Sequence, residues 1–332
     1  MIDRTVNEPE VAAVRGSRSD RARVTQLIVA VICIVAIVAL PWACGDYGLT
    51  LATEIVIAGI FAAGLNVLIG YTGLASAGHA MFVGLGGYGI GIGSAIYGWP
   101  LWTSVPVSLV CVAAISAAVG AICTRTRGVE FLLITLAFCQ MFFGAAVKLP
   151  LTNGTDGMAG IPRPDLSTLG LNSEIPAVFY VYVLTVALAS FALLARIVQS
   201  PFGSVLVAIR ENESRAVAMG YAVGPYKIGA FVLSAVICAV AGVLQAQYTY
   251  FINPDAMSWQ ASGEGILMVV IGGANAVMGP FIGAAVFVLV KQGLSLITSE
   301  YNLFFGVFFM LVIAFFRDGI VGTFRTLAGR RP

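Results

Sequence analysis

Long apolar segments follow one another from residue 26 to residue 316, with short polar connections between most of them. A helix of about 20 apolar residues spans the ~30 Å hydrocarbon core of a bilayer. Hydrophobic residues make up 59% of the 332 residues and charged residues only 10%, whereas about 25% of the residues in soluble domains are charged. The sequence therefore predicts an all-α polytopic membrane protein.

About ten transmembrane segments are expected, and some of their helices should be broken or of half length. The eighth segment is too short to cross the bilayer alone. The predicted segments are residues 26–43, 51–69, 77–97, 102–123, 129–147, 175–198, 228–250, 262–271, 281–297 and 303–316.

Lysine and arginine residues are divided unequally between the two sides that this topology predicts. Cytoplasmic loops of multi-pass proteins carry an excess of these residues. With ten crossings and a cytoplasmic N-terminus, all but three of the 18 lysines and arginines lie on the cytoplasmic side, the exceptions being Lys148, Arg163 and Lys291. We therefore expect both termini to be cytoplasmic.

The two ends of the chain are polar. Residues 1–24 are rich in arginine and are not preceded by an apolar stretch, which is unlike a cleaved signal peptide. We expect them to form a disordered cytoplasmic arm. Residues 25–322 are then the transmembrane domain, and residues 323–332 are a cytoplasmic tail.

One long polar stretch with helical character interrupts the apolar sequence, and we call residues 200–227 the polar segment. Ser200 and Pro201 are suited to the cap and the first turn of a helix, and Gly220 is suited to its end. Apolar residues between them recur with helical spacing, which predicts one amphipathic helix over residues 200–220. Such a helix either rests on the lipid surface or docks a soluble partner, and both interpretations remain open at this point.

Two glycine-rich breaks interrupt the apolar segments: the first break is residues 66–79, and the second break is residues 262–279. Unwound backbone at membrane depth is tolerated only where protein or a wet cavity satisfies its polar groups. Neither break contains lysine or arginine, so a zwitterion or a neutral amide fits such a path better than a multiply charged anion. The candidate path-lining residues are Asn66, Gly70, Gly73, Ser76, His79, Glu264, Gly272 and Gly273.

Packing is an alternative explanation for several of these residues. Asn66, Ser76 and His79 would serve either the path or a buried polar contact. Glu264 is a carboxylate at membrane depth, where an ionised group costs at least ~2.5–3.5 kcal/mol, so it needs a partner or a wet surface. We expect it at the N-terminus of the short eighth helix, where the helix dipole favours negative charge, and a role in the path is compatible with that position.

A second polar stretch, residues 148–174, is rich in glycine and proline, and we call it the Gly/Pro loop. The predicted topology places it outside the cell. Asn153, Thr155 and Asp156 are candidates for an outer vestibule, with glycines supplying the turns. A plain connector between two membrane segments is the alternative.

Several functional motifs are missing from the sequence. No lysine follows a glycine, which excludes a P-loop of the kind that cradles ATP. The chain has one histidine, and its cysteines lack the spacing of metal ligands. We expect no catalytic residues, no metal and no cofactor in this chain.

Five motifs occur in order along the chain: GLNVLIGYTGLASAGHAMFVGLGGY, RGVEFLLITLAFCQ, TNGTDGMAGI, SPFGSVLVAIRENESRAVAMGY and SGEGILMVVIGGANAVMGPFIGA. Together they resemble the M-type permease subunit of the high-affinity branched-chain amino acid (LIV-type) ABC transporters. The resemblance covers about residues 50–322. It implies the ABC importer permease fold and a place in a bacterial plasma (inner) membrane.

The resemblance also implies partners. These are a second, H-type permease subunit, two cytoplasmic ABC ATPases that carry ATP and Mg²⁺, and an extracytoplasmic solute-binding protein. The polar segment matches the family's coupling segment for the ATPases, and we expect its charged residues to face water. The matching residues are Arg210, Glu211, Asn212, Glu213, Arg215, Ala216, Gly220, Tyr226 and Lys227.

The resemblance therefore favours a permease subunit that imports branched-chain or other hydrophobic amino acids. A permease for urea or short-chain amides is an alternative within the same family. A self-sufficient secondary transporter or channel belongs to a different class, which the polar segment and the scarcity of charges in the membrane disfavour. For a membrane enzyme or receptor, the sequence offers no constellation of reacting residues.

Overall fold

The computed structural model describes residues 45–167, 170–274 and 277–297, together with residues 304, 306, 307, 310, 319 and 320. The predicted arm and tail, the first predicted segment and most of the tenth lie outside these residues. The chain divides into two units, Met1–Ala52 and Thr53–Pro332. Only the first turns of one helix are described in the first unit, and every contact discussed below lies within the second.

Helices account for most of the described residues. Six of them, counted with the π-helical turn that extends the first, are long and apolar enough to cross a membrane in the described part of the chain. The helices are α1 (Gly45–Asn66), α2 (Ala80–Gly91), α3 (Leu101–Cys123), α4 (Gly128–Lys148), α5 (Pro176–Val198), α6 (Pro201–Glu211), α7 (Glu213–Ala218), α8 (Val223–Thr249), α9 (Trp259–Gly272) and α10 (Gly279–Ile297).

The shorter elements extend or connect these helices. Two π-helical turns continue α1 and α2, and single-turn 3₁₀ helices lie in the connections. The π-helical turns are Val67–Thr72 and Ile92–Ile96, the 3₁₀ turns are Pro150–Thr152, Gly154–Asp156 and Pro254–Met257, and the two strands are β1 (Met158–Ala159) and β2 (Phe251–Ile252).

The second to ninth predicted segments each correspond to a described helix. The eighth is short, as expected, but at 14 residues it begins earlier than predicted, at Trp259. Pro176 and Pro201 occupy the first positions of α5 and α6, where the missing N–H of proline costs little. The all-α polytopic architecture is therefore confirmed.

Helices α2, α3 and α8 pack closely because small residues lie where they cross. A Cβ atom on Gly86 would lie 2.4 Å from the carbonyl oxygen of Ala239, and one on Gly242 would lie 1.8 Å from that of Val83. Larger residues there would force the helices apart. The glycines of α2 therefore act as packing devices.

The Gly/Pro loop is anchored to the end of α8 by a short antiparallel ladder. Met158 of β1 pairs with Ile252 of β2, and Ala159 pairs with Phe251. Gly157 precedes the ladder with φ 71°, and a Cβ atom there would lie 2.3 Å from the carbonyl oxygen of Ile252. Glycine is required at this position by both its conformation and its neighbour.

Candidate functional site

The polar segment forms two helices, so the prediction of one helix over residues 200–220 is wrong. Asn212 separates α6 from α7 with an extended backbone, φ −161° and ψ 98°. Its side-chain oxygen accepts a hydrogen bond of 2.9 Å from the backbone N–H of Arg215. Asparagine is a favoured N-cap residue, and its side chain competes with continued helix. The Ser200 hydroxyl does not cap α6 but donates to the carbonyl oxygen of Ile197 at 2.6 Å.

A three-charge cluster lies beneath α7. One carboxylate oxygen of Glu213, Oε1, lies 2.7 Å from Lys227 Nζ and 3.0 Å from Arg127 Nη2. The side chain of Lys227 is only 3% exposed and that of Glu213 is 18% exposed. The expectation that these two charges face water is therefore wrong. Glu213 is the counterion that allows a lysine to be buried between α7 and α8.

The other candidate coupling residues divide into buried and exposed ones. Ala216 is buried in a small apolar cluster between α6, α7 and α8. The ring of Tyr226 packs against this cluster and stacks on Phe202 with 5.5 Å between ring centroids. Glu211 and Arg215 are exposed. Gly220 follows α7 with φ 89°, a conformation that side chains rarely adopt.

Arg210 connects the polar segment to the first break. Its guanidinium donates a hydrogen bond to the carbonyl oxygen of Gly70, which lies in the π-helical turn after α1. Gly73 ends that turn with φ 73°, and a Cβ atom there would lie 2.8 Å from Arg210 Cγ. The last turn of α6 therefore contacts the break directly.

The two breaks contact each other directly, and the second break also contacts the start of α2. A Cβ atom on Gly70 would lie 2.0 Å from the carbonyl oxygen of Ala274, in the second break. Past the other end of the first break, the backbone N–H of Ala80 donates to Ser262 Oγ at 3.0 Å. Ser262 is fully buried. The breaks that the sequence suggested separately thus form one contiguous region.

Within the first break, the predicted polar residues are buried. The Oγ of Ser76 and Nδ1 of His79 are 2.7 Å apart. The imidazole packs edge to face against the rings of Phe82 and Phe231, with centroids 5.3 and 5.0 Å away. Asn66 is also buried, at the start of the π-helical turn. These contacts fit the buried polar interpretation, and a role in the path stays a prediction.

In the second break, glycines permit backbone contact between α9 and α10. A Cβ atom on Gly272 would lie 1.9 Å from the carbonyl oxygen of Gly279. Gly273 caps α9 with φ 101°. Any side chain at position 272 would meet backbone, so this glycine is required for the helices to pack.

Glu264 lies in the second turn of α9, so its predicted position at the helix N-terminus is wrong. The helix dipole acts mainly on the first turn. Instead, Glu264 Oε1 lies 2.8 Å from Nζ of Lys291 on α10. The two side chains border a cavity of about 370 Å³, which Glu54 also lines. The expected partner for the carboxylate is therefore present.

In the Gly/Pro loop, Asn153, Thr155 and Asp156 are exposed, which suits the vestibule prediction without testing it. The Asn153 side-chain amide donates to the carbonyl oxygen of Gly157 at 3.0 Å and closes the turn. Met158, in contrast, is buried and 7% exposed.

Arg163 connects the later part of the Gly/Pro loop to aromatic residues of α5 and of the segment after α8. Its guanidinium carbon lies 4.2 Å from the ring centroid of Phe179 and 4.5 Å from that of Tyr250. The Tyr250 hydroxyl donates to a carboxylate oxygen of Glu174 at 2.6 Å. Burial and this hydrogen bond raise the pKa of Tyr250, so the hydroxyl, already protonated at neutral pH, remains a donor to higher pH.

The sequence of the chain matches the family model described as branched-chain amino acid transport system / permease component, over residues 47–315. The chain belongs to this permease family. It is 27% identical to the high-affinity branched-chain amino acid transport system permease protein LivM of Escherichia coli, over 86% of this chain and 72% of the relative. No solved structure matches it significantly.

Two further relatives carry similar names. The LivM protein of Salmonella typhimurium is 26% identical over the same shares of the two chains. A probable branched-chain amino acid transport permease protein LivM of Methanocaldococcus jannaschii is 29% identical over 50% of this chain and 52% of the relative.

Sequence reasoning missed four residues of this permease that the contacts above bring forward: Arg127, Arg163, Ser262 and Lys291. Of these, only Lys291 could have been found from the sequence. A single lysine in one apolar segment and a single glutamate in another are expected to form an ion pair. The positions of the other three depend on how the helices pack.

Proposed function

We propose that this permease is the membrane-spanning subunit of an importer for branched-chain or other hydrophobic amino acids, driven by separate ATPase subunits. Its partners would be an H-type permease, two cytoplasmic ATPases that bind ATP and Mg²⁺, and an extracytoplasmic binding protein. Both termini and the polar segment would be cytoplasmic, in a bacterial inner membrane. The observation that carries this proposal is the hydrogen bond from Arg210, in the polar segment, to Gly70, in the first break.

The exposed face of the polar segment offers a protein partner an apolar patch bordered by charged residues. Val217 is 56% exposed and Met219 is 69% exposed, and Tyr221 beside them is also exposed. The charged side chains of Glu211 and Arg215 are exposed on the same segment. An apolar patch with a polar rim is typical of protein–protein contacts.

Movement of the docked helices would reach the path directly. A displacement of α6 acts on Gly70 and Gly73 through Arg210, and Gly70 in turn touches Ala274 of the second break. Packed elements of this kind shift as rigid bodies because their contacts do not deform gradually. A displacement of α6 would therefore move both breaks together.

The proposal is tested with the complete transporter, reconstituted into proteoliposomes with its ATPases, its second permease and its binding protein. We expect ATP-dependent uptake of labelled leucine and no uptake of labelled urea. Uptake of urea alone would favour the amide alternative, and leucine uptake without ATP or ATPases would favour a secondary transporter.

A substitution on the proposed docking face separates docking from folding. Met219→Asp should abolish co-purification of the ATPases and ATP-driven uptake while the permease remains folded. Leu171→Asp is the matched control, because Leu171 is a similarly exposed apolar residue in the Gly/Pro loop. ATPase binding that is equal in the two variants would contradict the proposed docking face.

A further inference from the structure

The cavity of about 370 Å³ beside Glu264 lies between α1, α2, α8, α9 and α10. Its volume falls in the range of about 300–1,000 Å³ that is usual for small-molecule sites. Of the eight candidate path residues, only Glu264 lines it. The cavity is thus a different location from the buried polar contacts of the first break.

Three charged groups from three helices converge on this cavity: Glu54 of α1, Glu264 of α9 and Lys291 of α10. The ammonium of Lys291 already pairs with Glu264 at 2.8 Å. The Glu54 carboxylate accepts a hydrogen bond of 3.3 Å from the side-chain amide of Gln292. With these groups ionised, the cavity has one negative charge more than it has positive charges. One carboxylate is therefore available to accept hydrogen bonds from a cationic group of a ligand.

The apolar part of the lining follows one to two turns further along the same helices. Phe61 lies seven residues after Glu54, Met268 four residues after Glu264, and Phe287 four residues before Lys291, and all three line the cavity. Residues at these spacings share one face of a helix. Helices α9 and α10 are antiparallel, since Gly272 contacts Gly279, and this places Glu264 opposite Lys291. The apolar side chains lie directly beside the charged groups: the Phe287 ring centroid is 5.8 Å from Lys291 Nζ.

We propose that this cavity binds the transported solute as a zwitterionic α-amino acid with an apolar side chain, a proposal that rests on the proposed function. Glu54 and Glu264 accept hydrogen bonds from the ligand ammonium, and Lys291 donates to its carboxylate. The ligand side chain lies against Phe61, Met268 and Phe287. The zwitterion inserts between Glu264 and Lys291, so each charge of the existing ion pair keeps an opposite partner.

This arrangement disfavours urea and short-chain amides, the solutes of the alternative function. Urea and neutral amides have no charge for either end of the ion pair, so their binding would leave Glu54 without a cationic partner and would form no bond between two ionised groups. A 2-oxo acid lacks the ammonium and would bring a second negative charge to Glu54. The cavity therefore distinguishes the ligands by charge.

The test uses the assembled transporter in nanodiscs without binding protein, and measures binding of labelled leucine at up to millimolar concentrations. Leucinamide, which lacks the carboxylate, and 4-methyl-2-oxopentanoate, which lacks the ammonium, serve as competitors. We expect saturable leucine binding, with both analogues competing at least about tenfold more weakly than leucine.

Two variants address the two ends of the ligand separately. Glu54→Gln retains an oxygen that accepts from Gln292, and it should weaken leucine binding by about tenfold with little effect on the oxo acid. Lys291→Met should weaken leucine binding but leave leucinamide binding nearly unchanged. Glu130→Gln, on the exposed first turn of α4, is the matched control and should bind like the unaltered transporter.

The outcomes separate this proposal from the proposed function. If the unaltered transporter imports leucine but binds none in this assay, or if both variants bind leucine normally, the cavity is not the site and the ion pair is only structural. If the unaltered transporter imports no leucine in proteoliposomes, the proposed function fails, and the cavity proposal fails with it.

Discussion

The guanidinium of Arg210 donates a hydrogen bond to the carbonyl oxygen of Gly70, a residue 140 positions earlier in the chain. The bond joins the end of α6 to the last residues of a π-helical turn, and carbonyl groups at the end of a helix lack partners within it. The side chain of Arg210 therefore connects the polar segment directly to the first break.

Replacing Arg210 should uncouple ATP hydrolysis from transport. In Arg210→Met, the methylene stem that packs on Gly73 is largely retained but the charge-assisted hydrogen bond is lost, a loss of about 1.5–3 kcal/mol. We expect ATPase subunits to co-purify normally while ATP-driven uptake falls on the order of tenfold or more. Arg125→Met, at an exposed arginine in the α3–α4 connection, is the control. Normal uptake by Arg210→Met would show that the bond transmits nothing.

Reversing the charge of Glu213 should unfold the polar segment, and its effect should not be confined to docking. The substitution Glu213→Lys would leave Lys227 buried beside a second positive charge, and breaking a buried ion pair costs about 3–5 kcal/mol. We expect a lower unfolding temperature of the purified permease. The double variant Glu213→Gln with Lys227→Met removes both charges and should recover most of that loss. If the single variant melted like the unaltered chain, the pair would be shown to contribute nothing to stability.

Small side chains at the closely packed glycines of the two breaks should be harmful even without closing any path. A Cβ atom on Gly70 would lie 2.0 Å from the Ala274 carbonyl oxygen, and one on Gly272 1.9 Å from that of Gly279. Gly70→Ala and Gly272→Ala should therefore both reduce the yield of folded protein. Gly144→Ala, in α4, has nothing within 4 Å of the new Cβ atom and should behave like the unaltered chain. Equal yields of all three would mean that the breaks do not pack as described.

For the same reason, blocked transport in Gly272→Leu would not by itself demonstrate a path. The larger side chain would separate α9 from α10, so loss of activity would follow from misfolding. Only a variant whose folded yield and basal ATP hydrolysis are intact reports on the solute path.

Cysteine labelling should distinguish exposed from buried residues of the Gly/Pro loop. Thr155→Cys should react with an impermeant thiol reagent added from outside, and the binding protein should slow the reaction. Met158→Cys, three residues away, should react poorly because position 158 is a buried position of the β1–β2 ladder. The unaltered chain provides the background, since Cys111 is exposed. Reaction of Thr155→Cys only from the cytoplasmic side would reverse the proposed topology.

The positions of the helices could be predicted from the local sequence because the bilayer imposes a length on every spanning helix. Predicted segments two to nine correspond to helices, and the unusual shortness of the eighth was visible in its apolar length. Asn212 carried a local signal as well, since asparagine favours N-caps, but the apolar spacing on both sides of it favoured one helix. The competing helical pattern explains that error.

Most contacts between distant segments had no such local signal. Glu213 was predicted to face water because it lies in a polar stretch of sequence, yet its ion-pair partner, Lys227, belongs to the next helix. Glu264 was assigned to a helix terminus because the predicted eighth segment begins at residue 262, whereas the helix begins at Trp259. Its ion-pair partner lies on α10, 27 positions away. In both cases the sequence identified an important charged residue but did not predict its environment in the fold.

The sequence by itself determined that the chain forms membrane-spanning helices, where most of them begin and end, where they break, and which family they belong to. These properties follow from apolar length, glycine content and local motifs, all of which act over a few helical turns. Only the tertiary structure decided that Arg210 reaches Gly70, that Gly70 touches Ala274, and that Glu54, Glu264 and Lys291 share one cavity. The physical reason is that these contacts arise from the order and tilt in which helices pack, and helix packing depends on small differences in side-chain volume that sequence spacing does not encode.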